Sequence, residues 1–352
     1  MRLVPKRTSI CLAMIVRDEA HVIERCLNSC LGMMDFIRII DTGSTDKTPE
    51  LIQSWAGKVG IDCQILSRPW VDFAHNRNEV IQFAGKCQAT HLLLLDADEV
   101  LHSTPLQAQR VRAVMETSDK ILFTFPMVYG NNICTRTNFV RNLPDRLAYR
   151  FPVHEELCLD GDPDAPLTLI RDGADYTDGI YVTTPQDGAR TKAGDRLTKD
   201  LFALGAAYQE DQNPRHLFYM AQTLRIGAHG TNDPGAWRMV RDIYMEYLRA
   251  MAGNYKPHCY VAALWVARVI EMEGAPAEHV LSTYQRVHEM DPGRPEAMGC
   301  MAAFCLEKGM KQQAMEYAQK VASCRGSNNY AFLETKWYEK AESILSQMEV
   351  SA

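Results

Sequence analysis

The sequence has no apolar run of the roughly 18 residues that a membrane helix needs. The first run, Ile10 to Val16, is ended at once by Arg17-Asp18-Glu19, and the basic residues before it (Arg2, Lys6, Arg7) do not extend it into a signal peptide core. No membrane insertion and a cytoplasmic location are therefore expected. There is no Cys-x-x-Cys pair, and the 11 cysteines are odd in number and scattered from Cys11 to Cys324. A disulfide framework is thus disfavoured, and reduced thiols packed as small hydrophobes are expected. No glycine lies between Arg17 and His21, so the Gly-x-Gly-x-x-Gly phosphate turn of a dinucleotide oxidoreductase is absent after the first strand. Nor is there a low-complexity tract or a block of like charge, and the net charge of −6 gives no general pull towards nucleic acid or anionic membrane.

What is present divides into two grammars. At 352 residues the chain is long for one compact unit, and two domains are expected, 1–188 and 189–352. In the first, Ser9 to Val16, Phe36 to Ile40, Ile61 to Leu66 and His91 to Leu95 read as strands, and Glu19 to Leu31, Thr45 to Ala56 and Phe73 to Lys86 as helices. This alternation predicts an α/β domain built on a parallel sheet. From Ile121 to Val182 strand-like pieces (Ile121 to Val128, Leu167 to Ile170, Ile180 to Val182) predict a smaller mixed region. Thr184 to Gly188 then reads as a linker. Beyond Thr191 eight helices are expected: Leu197 to Gln209, Pro214 to Ala228, Ala236 to Met251, Pro257 to Glu273, Ala277 to Met290, Pro295 to Glu307, Lys311 to Ser323 and Phe332 to Ser346. Short turns between paired helices suggest a degenerate tetratricopeptide-like array, with a plain helical bundle as the alternative. Trp237, Tyr244 and Tyr247 either fill gaps between helices or serve an acceptor or a second subunit.

Four polar clusters follow the four strands: Arg17-Asp18-Glu19, Asp41 to Asp46, Asp72 to Asn78 and Asp96-Ala97-Asp98-Glu99. In an open parallel sheet ligands bind outside the carboxyl ends of the strands, so four clusters there form a candidate site. Asp96 and Asp98, one residue apart behind a buried strand, offer hard oxygen ligands to a divalent cation beside a diphosphate. They also suit a helix cap with an acidic first turn. Asp41 at a strand end can accept from a nucleobase or ribose, whereas Ser44, Thr45 and Asp46 read as turn and cap. Arg77 can clamp phosphate or form a surface ion pair.

Together these residues resemble the family 2 glycosyltransferases, which have the GT-A fold. The segments that carry the resemblance are Ala13-Met14-Ile15-Val16-Arg17-Asp18-Glu19, Ile40-Asp41-Thr42-Gly43-Ser44-Thr45-Asp46, Phe73-Ala74-His75-Asn76-Arg77-Asn78 and Leu95-Asp96-Ala97-Asp98-Glu99, within a stretch from Ser9 to Asp160. The nearest likeness is to a bacterial branch with a tetratricopeptide-like tail that includes peptide S-glycosyltransferases. Asp18 stands where that family usually has Asn. The resemblance implies a nucleotide-diphosphate sugar donor, a UDP-sugar first among them, and Mn²⁺ or Mg²⁺. It implies that Asp41 contacts the base, Asp96 the ribose, Asp98 the metal, and that Arg77 approaches the diphosphate. Asp18, Glu19 and Arg141 join the nucleotide-sugar residues. Phe139 to Asn142 and Pro152 to Glu155 resemble acceptor-side elements, making His154 a third metal ligand or diphosphate partner and Glu155 the general base, roles that can be exchanged. The acceptor is open (peptide, glycan or modified nucleic acid), inversion is expected, and the helical half is assigned to acceptor recognition or a homodimer. An alternative reading makes the chain a helical-repeat interaction protein with a decayed transferase domain.

Overall fold

The computed structural model describes residues 7–130, 132–162, 167–169, 179–231, 233–254, 257–324 and 333–349. Arg2, Lys6, Ile170 and Phe332, used in the readings above, lie outside these. The chain divides into two compact units, one of Met1–Tyr129 with Thr135–Arg196, the other of Gly130–Cys134 with Leu197–Ala352.

The first unit runs β1 (Ile10–Val16), α1 (Ile23–Ser29), β2 (Phe36–Asp41), α2 (Thr48–Val59), β3 (Asp62–Ser67), α3 (Phe73–Gly85), β4 (His91–Leu94), β5 (Val100–His102), α4 (Pro105–Thr117), β6 (Leu122–Tyr129), β7 (Asn132–Arg141), β8 (Leu147–Arg150), β9 (Glu156–Leu159), β10 (Leu167–Leu169), β11 (Tyr181–Thr183) and the short α5 (Ala189–Lys192). The sheet order is β3-β2-β1-β4-β7-β6-β11-β5, with β10 on β6 and a separate β8-β9 ribbon. Strands β3, β2, β1 and β4 are mutually parallel, and β7 joins β4 antiparallel. The sheet is therefore mixed, as the resemblance implies, and β3, β2, β1 and β4 are the parallel part read from the strand–helix alternation. Every residue of β4 is buried, as its unalternating His-Leu-Leu-Leu predicts for a strand covered on both faces.

Of the elements that the sequence reading misses or displaces, three have a clear local reason. Helix α1 begins at Ile23, because Asp18 to Val22 are spent on a loop whose amides bind the next loop. Helix α4 falls in a stretch that the sequence reading leaves unassigned, yet it carries a full capping box: Thr104 accepts from the Gln107 amide, and the Gln107 side chain accepts from the Thr104 amide. Strand β7 reads as loop because Asn132, Thr137 and Asn138 interrupt its apolar residues. Asn138 is nonetheless fully buried, its side-chain oxygen accepting from the Phe125 amide at 2.9 Å.

The second unit is the tetratricopeptide-like array: α6 (Arg196–Asp211, all but its first residue), α7 (Pro214–Ala228), α8 (Pro234–Ala250), α9 (Pro257–Met272), α10 (Ala277–Met290), α11 (Glu296–Glu307), α12 (Lys311–Ser323) and α13 (Lys336–Glu349), with a two-residue strand β12 (Leu333–Glu334) before the last. From α7 onward each helix packs against its neighbour in the chain. Side-chain caps open α7 and α8, where Asn213 and Asp233 accept from the amides of Arg215 and Gly235 with Pro at the first helical position. Trp237, Tyr244 and Tyr247 are buried, so they fill the core and are unavailable to an acceptor or a second subunit.

Glu334 anchors this unit. It takes both Arg268 Nη atoms at 2.7 and 2.8 Å and the Trp337 indole N–H at 2.8 Å. Burial alone would raise its pKa, but Arg268 outweighs that and pulls it down to about 2. Because the folded value lies below the ordinary carboxylate value, the stabilisation is full above about pH 4.5 and is lost as pH falls towards 2. It is on the order of 3 kcal/mol. The melting-temperature gap between wild type and Glu334→Gln is therefore expected to be wide at pH 7 and to close near pH 2. An equal gap at both would show that the charge is not what matters.

Candidate active site

The crevice lies at the carboxyl ends of β1, β2, β3 and β4. Its first wall is a loop pair tied by side chains. Asp18 adopts a left-handed conformation (φ 57°), which Asp and Asn tolerate best among residues with a side chain. Its Oδ1 accepts from the Thr45 amide at 2.6 Å, the Thr45 hydroxyl at 3.0 Å and the Asp46 amide at 3.2 Å, while its own amide donates to Ser44 Oγ. Aspartate thus supplies the acceptor and the backbone freedom that asparagine would. Asp46 accepts from the Ala20 and Thr48 amides, joining the two loops just before α2, whose N-cap is Lys47 and not Ser44 or Thr45. Asp41, at the end of β2, is buried and turned onto Ser44, accepting its hydroxyl at 2.5 Å and its amide at 3.2 Å.

The floor is a partly buried charge network. Asp72 caps α3, accepting from the His75 amide, and one turn later Arg77 points from that helix to the end of β4. Arg77 is 8% exposed; its Nη2 donates to Asp96 Oδ1 at 2.5 Å and its Nε to Glu155 Oε1 at 2.6 Å. Asp96 Oδ2 accepts from Arg136 Nη1 at 3.1 Å, and Arg136 Nη2 donates to Glu99 Oε2 at 2.6 Å. Glu99 Oε2 also accepts from the Asp96 amide at 2.9 Å, fixing the turn that follows β4. Burial pushes the Asp96 pKa up, but Arg77 and Arg136 outweigh it and hold this carboxyl well below the usual range. Burial lifts Glu99 to about 7 against the pull of Arg136.

Two carboxylates stand outside this network. Asp98 is raised by burial and then by the charge of Asp96. Glu19 is raised to about 7, by burial first and by Asp98 and Asp96 after it. Among the described residues neither makes an ion pair with arginine or lysine, and the guanidinium groups of Arg77 and Arg136 are already committed to carboxylates. The crevice therefore carries an excess of negative charge just where a diphosphate is expected.

The structure brings together Arg77, Asp96, Asp98, Glu19 and Glu155, with Asp18 and Asp41 bracing the adjoining loops. His154 precedes Glu155 in the turn between β8 and β9, in a left-handed conformation (φ 53°). Among the described residues no three His, Cys, Asp or Glu side chains converge as metal ligands, so Asp98 and His154 do not share a ready-made cage. Asp98 alone still fits a hard cation, since Mg²⁺-type sites use one or two carboxylates and complete their shell with phosphate oxygens and water. Arg141 does not join the site. Its register partner is His91, at the start of β4, and its guanidinium donates to the carbonyls of Lys120 and Ser118. That end of the strand is roughly 16 Å from Asp96 at about 3.3 Å per residue. Arg136 occupies the position expected of Arg141. Continuing the antiparallel β4–β7 register from the His91–Arg141 pair sets Arg136 opposite Asp96. Only that register could have revealed it, and the sequence gives no register. The Thr184-to-Gly188 linker was also underestimated, for Asp187 and Gly188 lie against Arg25 and Asp98.

Comparison with known proteins gives this arrangement a context. A TPR repeat-containing protein of Synechococcus elongatus is 33% identical over 152 residues, 42% of this chain and 34% of that protein. The SPbeta prophage-derived glycosyltransferase SunS of Bacillus subtilis is 25% identical over 253 residues, 70% of this chain and 54% of its own. The chain thus spans between a third and about half of the length of these relatives. Among solved structures, S. aureus TarS 1–349 in complex with UDP-GlcNAc aligns over 98% of this chain and 92% of its own at 12% identity, with a TM-score of 0.40. Residues 11–142 match the model of glycosyl transferase family 2. That stretch holds nearly all of β1 to β4, the Asp96–Asp98 turn and both site arginines, Arg77 and Arg136, and over it the chain is similar to glycosyl transferase family 2.

Proposed function

We propose that the protein transfers a sugar from a nucleoside-diphosphate sugar, a UDP-sugar, to an acceptor nucleophile with inversion at the anomeric carbon. The observation that carries this is Asp98, a half-buried carboxylate without an arginine or lysine partner among the described residues, one residue from an Asp96 that two arginines keep ionised and fixed. Asp96 is the ribose acceptor, Asp41 with Glu19 and the Asp18 loop lines the nucleotide side, and Arg77 lies under the diphosphate. Mn²⁺ or Mg²⁺, held by Asp98 and the diphosphate oxygens, would neutralise charge on the leaving group; His154 is its candidate neighbour. The acceptor, whether peptide, glycan or modified nucleic acid, is left to the helical unit, which we also assign any self-association. The Asp96–Arg77–Glu155 network is intact, which counts against a decayed domain serving only as a platform for partners. Among the described residues no helix is long and apolar enough to cross a membrane, and the cysteines are unpaired, which suits the reducing cytoplasm.

Glu155 is the general base in this reading. Arg77 holds its Oε1, which orients the carboxylate and leaves Oε2 for the acceptor proton. Glu155→Gln keeps a carbonyl oxygen for Arg77 and removes the basic group. It is expected to bind UDP with Mn²⁺ nearly as wild type does and to turn over on the order of 10²-fold more slowly. Normal turnover would move the base elsewhere, to Asp145 or Glu156.

A further inference from the structure

The segment after β11 lies on Asp98 and Glu19, the two site carboxylates that make no ion pair with arginine or lysine among the described residues. Gly188 packs directly against the Asp98 carboxylate. The Ala189 amide donates to both Glu19 oxygens at 3.2 Å. Two residues, Arg25 and His21, fasten this strap from the α1 side. Arg25 grips Asp187 with both Nη atoms at 2.7 and 2.6 Å, Arg25 Nη2 also donates to the Asp98 carbonyl at 3.1 Å, and His21 Nε2 meets the Asp187 carbonyl at 2.7 Å. On the far side the Arg190 guanidinium lies 4.2 Å over the Phe73 ring, one turn before Arg77. Gly188 is close enough that an added Cβ would stand 3.0 Å from Asp98 Oδ2.

A peptide N–H presents the positive end of its dipole. It can therefore satisfy a buried carboxylate, but it repels a cation seeking the same oxygen. We propose that Asp187–Ala189 is an internal competitor for the donor, a strap that Arg25 latches over Asp98 and Glu19 and that a divalent cation with a nucleoside diphosphate must displace. This rests on the donor site proposed above. Arg25 and Asp187 act as positioning residues that set how tightly the empty crevice is closed. Their pair is about two-fifths exposed on each side, so its contribution is small but measurable.

The test combines equilibrium binding of UDP with Mn²⁺ and the rate of trypsin cleavage after Arg190 and Lys192, both exposed in α5, which continues from the strap. In Arg25→Gln and Asp187→Asn the Kd is expected to fall about threefold and cleavage of the ligand-free protein to quicken by a similar factor. UDP with Mn²⁺ should also quicken cleavage of wild type. Gly188→Ala, whose φ of −63° suits alanine, should act in the same direction by crowding Asp98. Weaker UDP binding in both Arg25→Gln and Asp187→Asn would overturn the proposal, because the strap would then be supporting bound donor. Unchanged cleavage in both would overturn it whatever the nucleotide does. If wild type binds no UDP with Mn²⁺ while both variants are cleaved faster, the latch stands and the transferase reading falls.

Discussion

Arg77→Met is expected to lose UDP binding and to melt roughly 6–12 °C below wild type, at 2–4 °C per kcal/mol for a unit of this size. Methionine fills the space but leaves Glu155, with 15% of its side chain exposed, without an ion pair among the described residues, and leaves Asp96 with Arg136 alone. Breaking a buried pair from one side costs about 3–5 kcal/mol, and the low end applies here because a third of Asp96 still faces solvent. Arg77→Lys should recover little, since an ammonium cannot serve two carboxylates with fork geometry. The double variant Arg77→Met, Glu155→Gln should regain part of the lost stability, because the stranded charge is gone. A single variant melting within 2 °C of wild type by calorimetry would mean the network does not hold the floor of the crevice.

Asp98→Asn should behave in the opposite way. Burial and the neighbouring Asp96 already disfavour its charge, so neutralising it is expected to leave the melting temperature unchanged or slightly higher. Function should collapse nonetheless: we expect turnover to fall at least about 100-fold, as it should in wild type treated with EDTA, with Mn²⁺ or Mg²⁺ restoring wild type only. UDP binding followed by calorimetry should lose its dependence on Mn²⁺ in the variant. Full turnover in chelator, or a variant that still answers to Mn²⁺, would remove the cation from the mechanism.

The parts of this site legible in the sequence are those set by local chemistry. A buried apolar strand followed by Asp-Ala-Asp marks the end of β4, and Asp72 before Phe73 marks the start of α3, so Asp96, Asp98 and Arg77 are found from their immediate neighbours. The helical half was legible for the same reason: Pro and Gly punctuate its junctions, and α7, α10 and α12 span the residues expected. Arg136, the misplacement of Arg141 and the strap at Asp187 were not legible, because each depends on pairing across long stretches of chain. Position 136 matters only through its register with β4, and Asp187 only through contact with Arg25, 162 residues earlier. Asp41 shows the limit from the other side. Its place at the strand end was clear, but the turn of its carboxylate onto Ser44 depends on rotamers that no pattern encodes.

The antiparallel arrival of β7 has a consequence for how the protein is made. Residues 10 to 99 can lay down β1 to β4 as they leave the ribosome, bringing Asp96, Glu99 and one arginine together. The second arginine and Glu155 belong to segments synthesised later, and β4 must wait for β7 across an intervening hairpin partner and a helix. Pairings of such sequence separation form late and slowly. A nascent chain halted between Glu99 and Arg136 would thus expose the open flank of β4 beside half-compensated acids, the kind of edge that invites pairing with another chain.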